Sequence, residues 1–468
     1  MPKLDEQIKT LAGYFAADCE PDGKLTLQLE VEHFLTRSDG QPPAFADVQA
    51  ALRDLQQQTD APIITDGEYF GYSGPALTAT LGPACQLRIS LAPLRDVQDI
   101  MDLYNRFYLQ LGLALAAHGL RAWTAGCHPT CHAEDLPLVP RTRDEAMDAY
   151  LRKKGACSVQ MMRATAATQV SIDYQDETDF VRKMRAASLL TPFFALLSDN
   201  APVYQASRNS SYCIRTRLWQ DVDRDRCGVT PHLMDADFGY ARYAENVLTK
   251  PQITALRLGR VRAAGGKIAP ELYAGHVSRQ ETAQILSNFF YDVRLKSRIE
   301  LRAADSMPPR YIAAYVQLVK SVFGSPAALQ NVLRHYAGAT TLDITSAKLA
   351  VCKDGYNALV YGRPASGELA WLLMQARSRT PSQEERALLD PFMQLLTTRK
   401  TIRETENYNE SNVFLRASDP ERGHVPCGKA SYHAVDCRDD SPRTVGAAKP
   451  AGLHPRRACG SRCYGGAR

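Results

Sequence analysis

Charged and polar residues spaced two apart recur in five segments whose apolar residues alternate as in a β-strand, where successive side chains point to opposite faces. In "LTLQLEVEHF", Leu25, Leu27, Leu29 and Val31 take one face and Gln28, Glu30 and Glu32 the other. Two carboxylates then stand side by side, about 6.5 to 7 Å apart along the strand. "VQMMRATAATQVSIDY" sets Met162, Ala164, Ala166, Val170 and Ile172 against Arg163, Thr165, Gln169, Ser171 and Asp173. "CIRTRLW" groups Arg215, Arg217 and Trp219, and "RLKSRIELRAAD" sets Leu295, Ile299 and Leu301 against Arg298, Glu300 and Arg302. "QLRISL" opposes Leu87, Ile89 and Leu91 to Gln86, Arg88 and Ser90. An antiparallel sheet with one wet face produces this pattern without any chemistry in it. The composition of the polar faces points further, because they mix Glu with Arg, hydroxyl and amide groups and scarcely use Lys. The guanidinium fork suits carboxylate and phosphate, and Glu30, Glu32 and Glu300 are oxygen ligands of the kind Mg²⁺ takes beside substrate phosphates. A site for anionic ligands plus a divalent cation is the expectation.

Other motifs fall away on spacing. In "RLWQDVDRDRCG" the aspartates 221, 223 and 225 stand where calcium ligands would, but the sixth position from Asp221 is Arg226 rather than Gly and the twelfth is His232 rather than Glu. "CHPTCH" (127–132) has three residues between its cysteines, against two for haem attachment, and no second pair nearby for zinc. "GRVRAAGGKI" fails the phosphate-loop spacing, with Ile268 where Ser or Thr should follow the lysine. Neither G-x-S-x-G nor H-E-x-x-H occurs.

The elements that must carry such a face are consistent with one large unit. Periodicity runs from about residue 24 to 417 without a Gly/Ser linker or repeat, giving a single domain over residues 1–422. Helices are expected over 96–117, 143–154, 179–200 with a distortion near Pro192, 278–290, 309–322 and 383–398. The segment 423–468 has no Ile, Phe, Met or Trp and reads as a disordered or aberrant tail. With 56 Lys and Arg against 51 Asp and Glu, the net charge of +5 provides no basic stripe for nucleic acid. The N-terminal residues have no leader-like apolar run and no stretch is long enough to span a membrane, so a cytosolic protein with reduced thiols is expected.

Six collinear segments resemble the plant-type branch of the glutamate-cysteine ligase family, which also occurs in bacteria: "LEVEHF", "AEDLPLVPRTRDEAMDAYL", "MMRATAATQVSIDY", "IRTRLWQDVDRDRCGVTP", "DFGYARYAENVL" and "DVRLKSRIELRAADSMP". The resemblance implies an α+β glutamine synthetase-like ligase fold, with a curved antiparallel sheet forming a funnel backed by helices. It implies ATP-dependent joining of the γ-carboxyl of glutamate to the amine of cysteine through a γ-glutamyl phosphate, with ATP and Mg²⁺ required. By the same resemblance Glu30, Glu32, Gln169 and Glu300 fall on metal positions, and Arg302 and Glu300 are the catalytic pair. Arg163, Thr165, Arg215, Arg217 and Trp219 fall to the substrates, while the three aspartates shape the loop bordering the funnel. In "TLGPACQLRIS" the sequence departs from a family pattern resembling L-E-P-G-x-Q-L-E, because Gly82 and Arg88 stand at its two acidic positions. That departure keeps open a homologue that is catalytically impaired or non-catalytic, and the resemblance itself leaves open a ligase with a different acceptor amine.

Overall fold

The computed structural model describes residues 2–406, so the expected boundary after residue 422 and the tail beyond it lie outside the described residues. The main sheet has nine strands: β1 Leu27–Arg37, β2 Ile63–Asp66, β3 Glu68–Ser73, β4 Leu77–Leu81, β5 Leu87–Leu91, β6 Leu120–Trp123, β7 Thr168–Ile172, β8 Val293–Leu295 and β9 Ile299–Leu301. Their order is β8-β9-β7-β1-β5-β4-β3-β2, with β6 on β1, and the ladders are antiparallel. This path has two ends and does not close, so the expected mixture of helix and antiparallel sheet is present without a closed barrel.

β1 holds the centre because its two halves bury differently. Leu27, Leu29 and Val31 are at most 1% exposed, while Gln28, Glu30 and Glu32 alternate onto the wetter face. From His33 to Thr36 both faces are covered, and His33 Nε2 shares a 2.9 Å hydrogen bond with the Tyr104 hydroxyl. Burial pushes the His33 imidazole down to about 4 and keeps it neutral. Each of the three buried aliphatics contributes roughly 1.5 to 3 kcal/mol by leaving water.

The helices used below are α1 Phe45–Gln56, α2 Val97–Ala117, α3 Thr142–Leu151, α4 Ser158–Ala164, α5 Glu177–Leu197, α6 Ile214–Trp219 and α7 Pro309–Phe323. The Asp96 side chain caps α2 by accepting from the Gln98 N–H, and the helix buries Ile100, Tyr104, Phe107, Leu111 and Leu115. Helix α7 packs on α2, β1 and β7, and α5 packs behind β8 and β9, so the aliphatic face of the sheet is covered while its Glu and Arg face stays open. The helix expected over 383–398 is two pieces, Gln383–Ala387 and Asp390–Thr398, with Pro391 in the first turn of the second.

Two segments expected as strands are helices. Residues 158–164 form α4 and the chain becomes extended only from Thr165, while 214–219 form α6. Short apolar runs satisfy either period: Ile214 and Leu218 alternate in a strand reading, yet they also stand four apart on one helical face. Among the described residues no single helix is long and apolar enough to cross a membrane.

Candidate active site

Register builds the open face one residue at a time. β1 and β5 pair Glu32 with Arg88 and Glu30 with Ser90, and β1 and β7 pair Glu30 with Gln169. β7 and β9 pair Ser171 with Glu300, and the β8–β9 hairpin sets Arg294 opposite Glu300. The four residues expected to hold metal, Glu30, Glu32, Gln169 and Glu300, are therefore brought together on adjoining strands.

They are brought together already partnered. Arg88 Nη2 lies 2.7 Å from Glu32 Oε1, and Arg88 Nε lies 3.1 Å from Glu30 Oε1. Gln169 Nε2 also donates to Glu30 Oε1 at 2.8 Å, the Ser90 hydroxyl donates to Glu30 Oε2, and the Ala167 N–H donates to Glu32 Oε2 at 2.9 Å. Glu300 Oε2 accepts from Arg294 Nε and from Arg302 Nη1, the latter at 3.0 Å, while Lys296 Nζ lies 3.4 Å from Oε1. Arg302 Nη1 also donates to Gln169 Oε1 at 2.5 Å. Every carboxylate oxygen of Glu30, Glu32 and Glu300 thus faces a protein donor, and among the described residues no group of three His, Cys, Asp or Glu side chains is arranged to hold a metal ion. The expected Mg²⁺ ligand set does not fit these residues as they stand.

The electrostatics follow from this pairing. Burial pushes the Glu32 carboxyl up, but the charge and hydrogen bond of Arg88 outweigh it, with help from Arg215 and Arg302, and hold it below the usual carboxylate range. For Glu300, burial is again overcome, by Arg294, Lys296 and Arg302, and the carboxyl is held well below that range. Burial and the neighbouring Arg294 bring the Lys296 ammonium down to about 8, although 43% of its side chain meets solvent. Burial likewise brings Arg143 down to about 10, Asp144 pulling the other way.

Above this face lies a cleft of about 350 Å³, lined by Glu32, Gly82, Arg88, Arg141, Arg143, Asp144, Thr165, Arg215, Trp219, Arg294, Lys296 and Arg302 among others. A smaller cavity beside it shares Arg215, Trp219, Phe290 and Arg302 and adds Asp292 and Lys348, which form a buried ion pair. Helix α6 aims Arg215 and Trp219, four residues apart, at the boundary between the two spaces. The guanidinium groups of Arg215 and Arg302 each lie 5.7 Å from the Trp219 ring centroid. Arg215 is fixed by hydrogen bonds from Nη1 to the Arg302 and Ala303 carbonyls, whereas Arg215 Nε and Trp219 Nε1 have no hydrogen-bond partner. Two unspent buried donors at one boundary mark a place for an anionic or carbonyl oxygen.

Three expected substrate residues are placed differently. Arg217 is on the exposed side of α6, because a helix turns the middle residue of Arg215, Arg217 and Trp219 away from the other two. Arg163, near the end of α4, points back to the Leu136 carbonyl at 2.9 Å and to Asp148 at 2.8 Å, clamping α3 to α4. Thr165 does line the cleft, but its hydroxyl donates to the Met161 carbonyl. Arg294, Lys296, Arg141 and Arg143 were not singled out from the sequence. For Arg294 and Lys296 the signal was present, since carrying the alternation of β9 back through the hairpin puts both on the polar face.

Asp221, Asp223 and Asp225 prove to be loop residues, as the family resemblance implied. The fully buried Arg226 donates to Asp223 Oδ2 at 2.6 Å, to the Tyr150 hydroxyl at 2.7 Å and to the Pro251 carbonyl at 2.9 Å, while Asp225 faces Lys250 at 3.4 Å. In "CHPTCH" His128 Nδ1 accepts from the Thr130 and Cys131 N–H groups, and burial brings its imidazole down to about 3.

Comparison with known proteins gives this face a context. The model of Glutamate-cysteine ligase family 2 matches residues 26–410. Chloroplastic glutamate-cysteine ligases of Medicago truncatula and Arabidopsis thaliana are each 26% identical over 333 residues, covering 69% of this chain and 66% and 64% of theirs. The chain therefore spans just under two thirds of the length of the curated relatives it matches. A crystal structure of the glutamate-cysteine ligase from Francisella tularensis, solved with AMP, superposes with a TM-score of 0.51 at 10% identity, covering 84% of this chain and 87% of that one. The expectation of a cytosolic protein is corrected here, because the matched relatives are chloroplastic enzymes.

Proposed function

The chain belongs to Glutamate-cysteine ligase family 2, and from that premise we propose an ATP-dependent ligase that joins the γ-carboxyl of glutamate to the amine of cysteine. The observation that carries the reading is the cleft itself: seven basic side chains over a sheet face that holds Glu30, Glu32 and Glu300, with two unspent donors at the boundary of a second cavity. Residues 1–422 are proposed as the catalytic unit, with the open sheet face as one wall of a substrate funnel.

A carboxylate is a poor acyl donor, so the γ-carboxylate oxygen attacks the γ-phosphorus of ATP, ADP leaves, and a γ-glutamyl phosphate results. The amine then attacks the acyl carbon, phosphate departs with the former carboxylate oxygen, and the amine proton is lost to solvent or a nearby base. Arg302, held against Gln169 and Glu300, is placed to neutralise the migrating phosphoryl group, and Glu300 keeps Arg294 and Arg302 aligned. Arg215 and Trp219 are assigned to a substrate carboxylate or carbonyl oxygen, and Thr165 to the cleft wall. Arg163 acts by fixing α4, and Arg217 has no part in the site. The nucleotide assignment is supported by the family and by the AMP complex of the Francisella enzyme. Mg²⁺ is the counter-ion such chemistry ordinarily takes, but its expected carboxylate ligands are committed to guanidinium, ammonium, hydroxyl and amide donors.

A second reading is favoured by one observation, the seating of Arg88 between Glu30 and Glu32: a homologue that keeps the cleft and turns over slowly or not at all. Phosphate release from ATP with glutamate and a panel of amines separates the readings. Release that requires cysteine supports the first, release with another amine redirects the acceptor, and silence with every amine supports the second.

A further inference from the structure

We propose that Arg88 is a built-in counter-ion occupying the place of a divalent cation, and that the cleft accordingly takes the polyphosphate of a nucleotide free of metal. The inference rests on the reading of this cleft as the nucleotide site and deepens it. Arg88 does not arrive by a chance swing of a long side chain, because its backbone stands directly opposite Glu32 in the β1–β5 ladder. One guanidinium reaches both carboxylates, at 2.7 and 3.1 Å, and the Ser90 hydroxyl and Ala167 N–H take the oxygens it leaves.

A magnesium ion needs oxygen ligands in near-octahedral array at about 2.0 to 2.1 Å. To obtain them here it would have to displace Arg88 and leave that charge unpaired beside the ion. Gly82, at the rim, offers no carboxylate in exchange, and a Cβ there would already sit 3.2 Å from Gln86 Oε1. The neutralisation a metal would supply is present instead as side chains. Arg141, Arg143, Arg215, Lys296 and Arg302 line the same cleft, against Glu32 and Asp144 as its acidic lining. Guanidinium groups donate in a fixed fork to two phosphate oxygens at once, so such a lining can grip a polyphosphate without a bridging ion.

The test is calorimetric titration of the whole chain with ATP, in EDTA and in excess Mg²⁺, beside Arg88→Glu and Arg88→Gln, with Mn²⁺ alone followed by electron paramagnetic resonance. The expected result is a wild-type Kd in EDTA within about threefold of that in Mg²⁺, and no stoichiometric Mn²⁺ site. Arg88→Glu should bind ATP in EDTA at least about tenfold more weakly and gain a Mn²⁺ site. Arg88→Gln, which removes the charge without adding a ligand, should show the loss without the gain, and it keeps the test decisive if Arg88→Glu does not fold. Wild-type binding at least about tenfold weaker in EDTA, or a stoichiometric Mn²⁺ site in the wild type, overturns the inference and leaves the proposed ligase standing. ATP binding under neither condition overturns both.

Discussion

Replacing Glu300 with Gln removes one charge from the most enclosed part of the sheet face and keeps the shape. The Glu300 side chain is 8% exposed, Arg294 also 8%, and Arg302 12%, so three charges share a site nearly closed to water. At the 3.0 Å separation from Arg302, the gross attraction at an effective dielectric near 20 is about 5 kcal/mol, most of it offset by desolvation. Breaking such a pair by removing one partner costs about 3 to 5 kcal/mol, because the other charge stays buried and uncompensated. Here two arginines and Lys296 lose their counter-charge, so a loss of at least about 3 kcal/mol is expected in urea unfolding near neutral pH. The pH dependence has a definite sign. The folded Glu300 carboxyl is held well below its ordinary value of 4.5, so its contribution is present above that value and is lost as pH falls through the lower folded one. The gap between wild type and variant should therefore be full at neutral pH and shrink on acidification below 4.5. A loss under about 1 kcal/mol at neutral pH, or a gap that does not narrow in acid, would refute the view of Glu300 as the carboxylate that balances this cluster.

Asp223→Asn should destabilise by about 2 to 4 kcal/mol by thermal or urea unfolding, because Arg226 is left buried without its charge partner, and added Ca²⁺ should not move the melting temperature of the wild type. Arg217→Ala should leave phosphate release unchanged and stability within about 0.5 kcal/mol, as befits an exposed helix position, whereas Arg215→Ala should lower release at least about tenfold; equal effects would contradict the helical placement of the pair. Lys296, with its ammonium brought down to about 8, should make nucleotide affinity fall as pH rises through that value, and Lys296→Met should flatten the dependence in a fluorescence titration.

The strand faces of β1 and β5 were legible in the sequence because apolar and polar residues alternate there without a break, and once those strands pair, Glu30, Glu32 and Arg88 must converge. The helices α2 and α7 were legible for a similar reason, being long and strongly periodic. The stretches 158–164 and 214–219 were not, since six or seven residues of mixed polarity satisfy a period of two and of 3.6 equally well, and tertiary packing decided for helix. That single ambiguity misplaced Arg163 and Arg217 while leaving Arg215 and Trp219 in the site. Glu300 shows another limit. From its spacing it reads as a site carboxylate, and only the hairpin that folds Arg294 back over it reveals a buried ionic cluster. Asp144 and the arginines beside it give no periodic signal at all, because they sit at the start of α3, where the chain enters the cleft from a loop.

The most direct test of the proposed ligation follows an oxygen atom. Glutamate carrying heavy-isotope oxygen in its γ-carboxyl is incubated with ATP, cysteine and the protein, and the released phosphate and the dipeptide are analysed by mass spectrometry. A γ-glutamyl phosphate requires one labelled oxygen to pass to each phosphate as γ-glutamylcysteine forms. Phosphate released without label, or no γ-glutamyl product while ATP is consumed, would contradict the account.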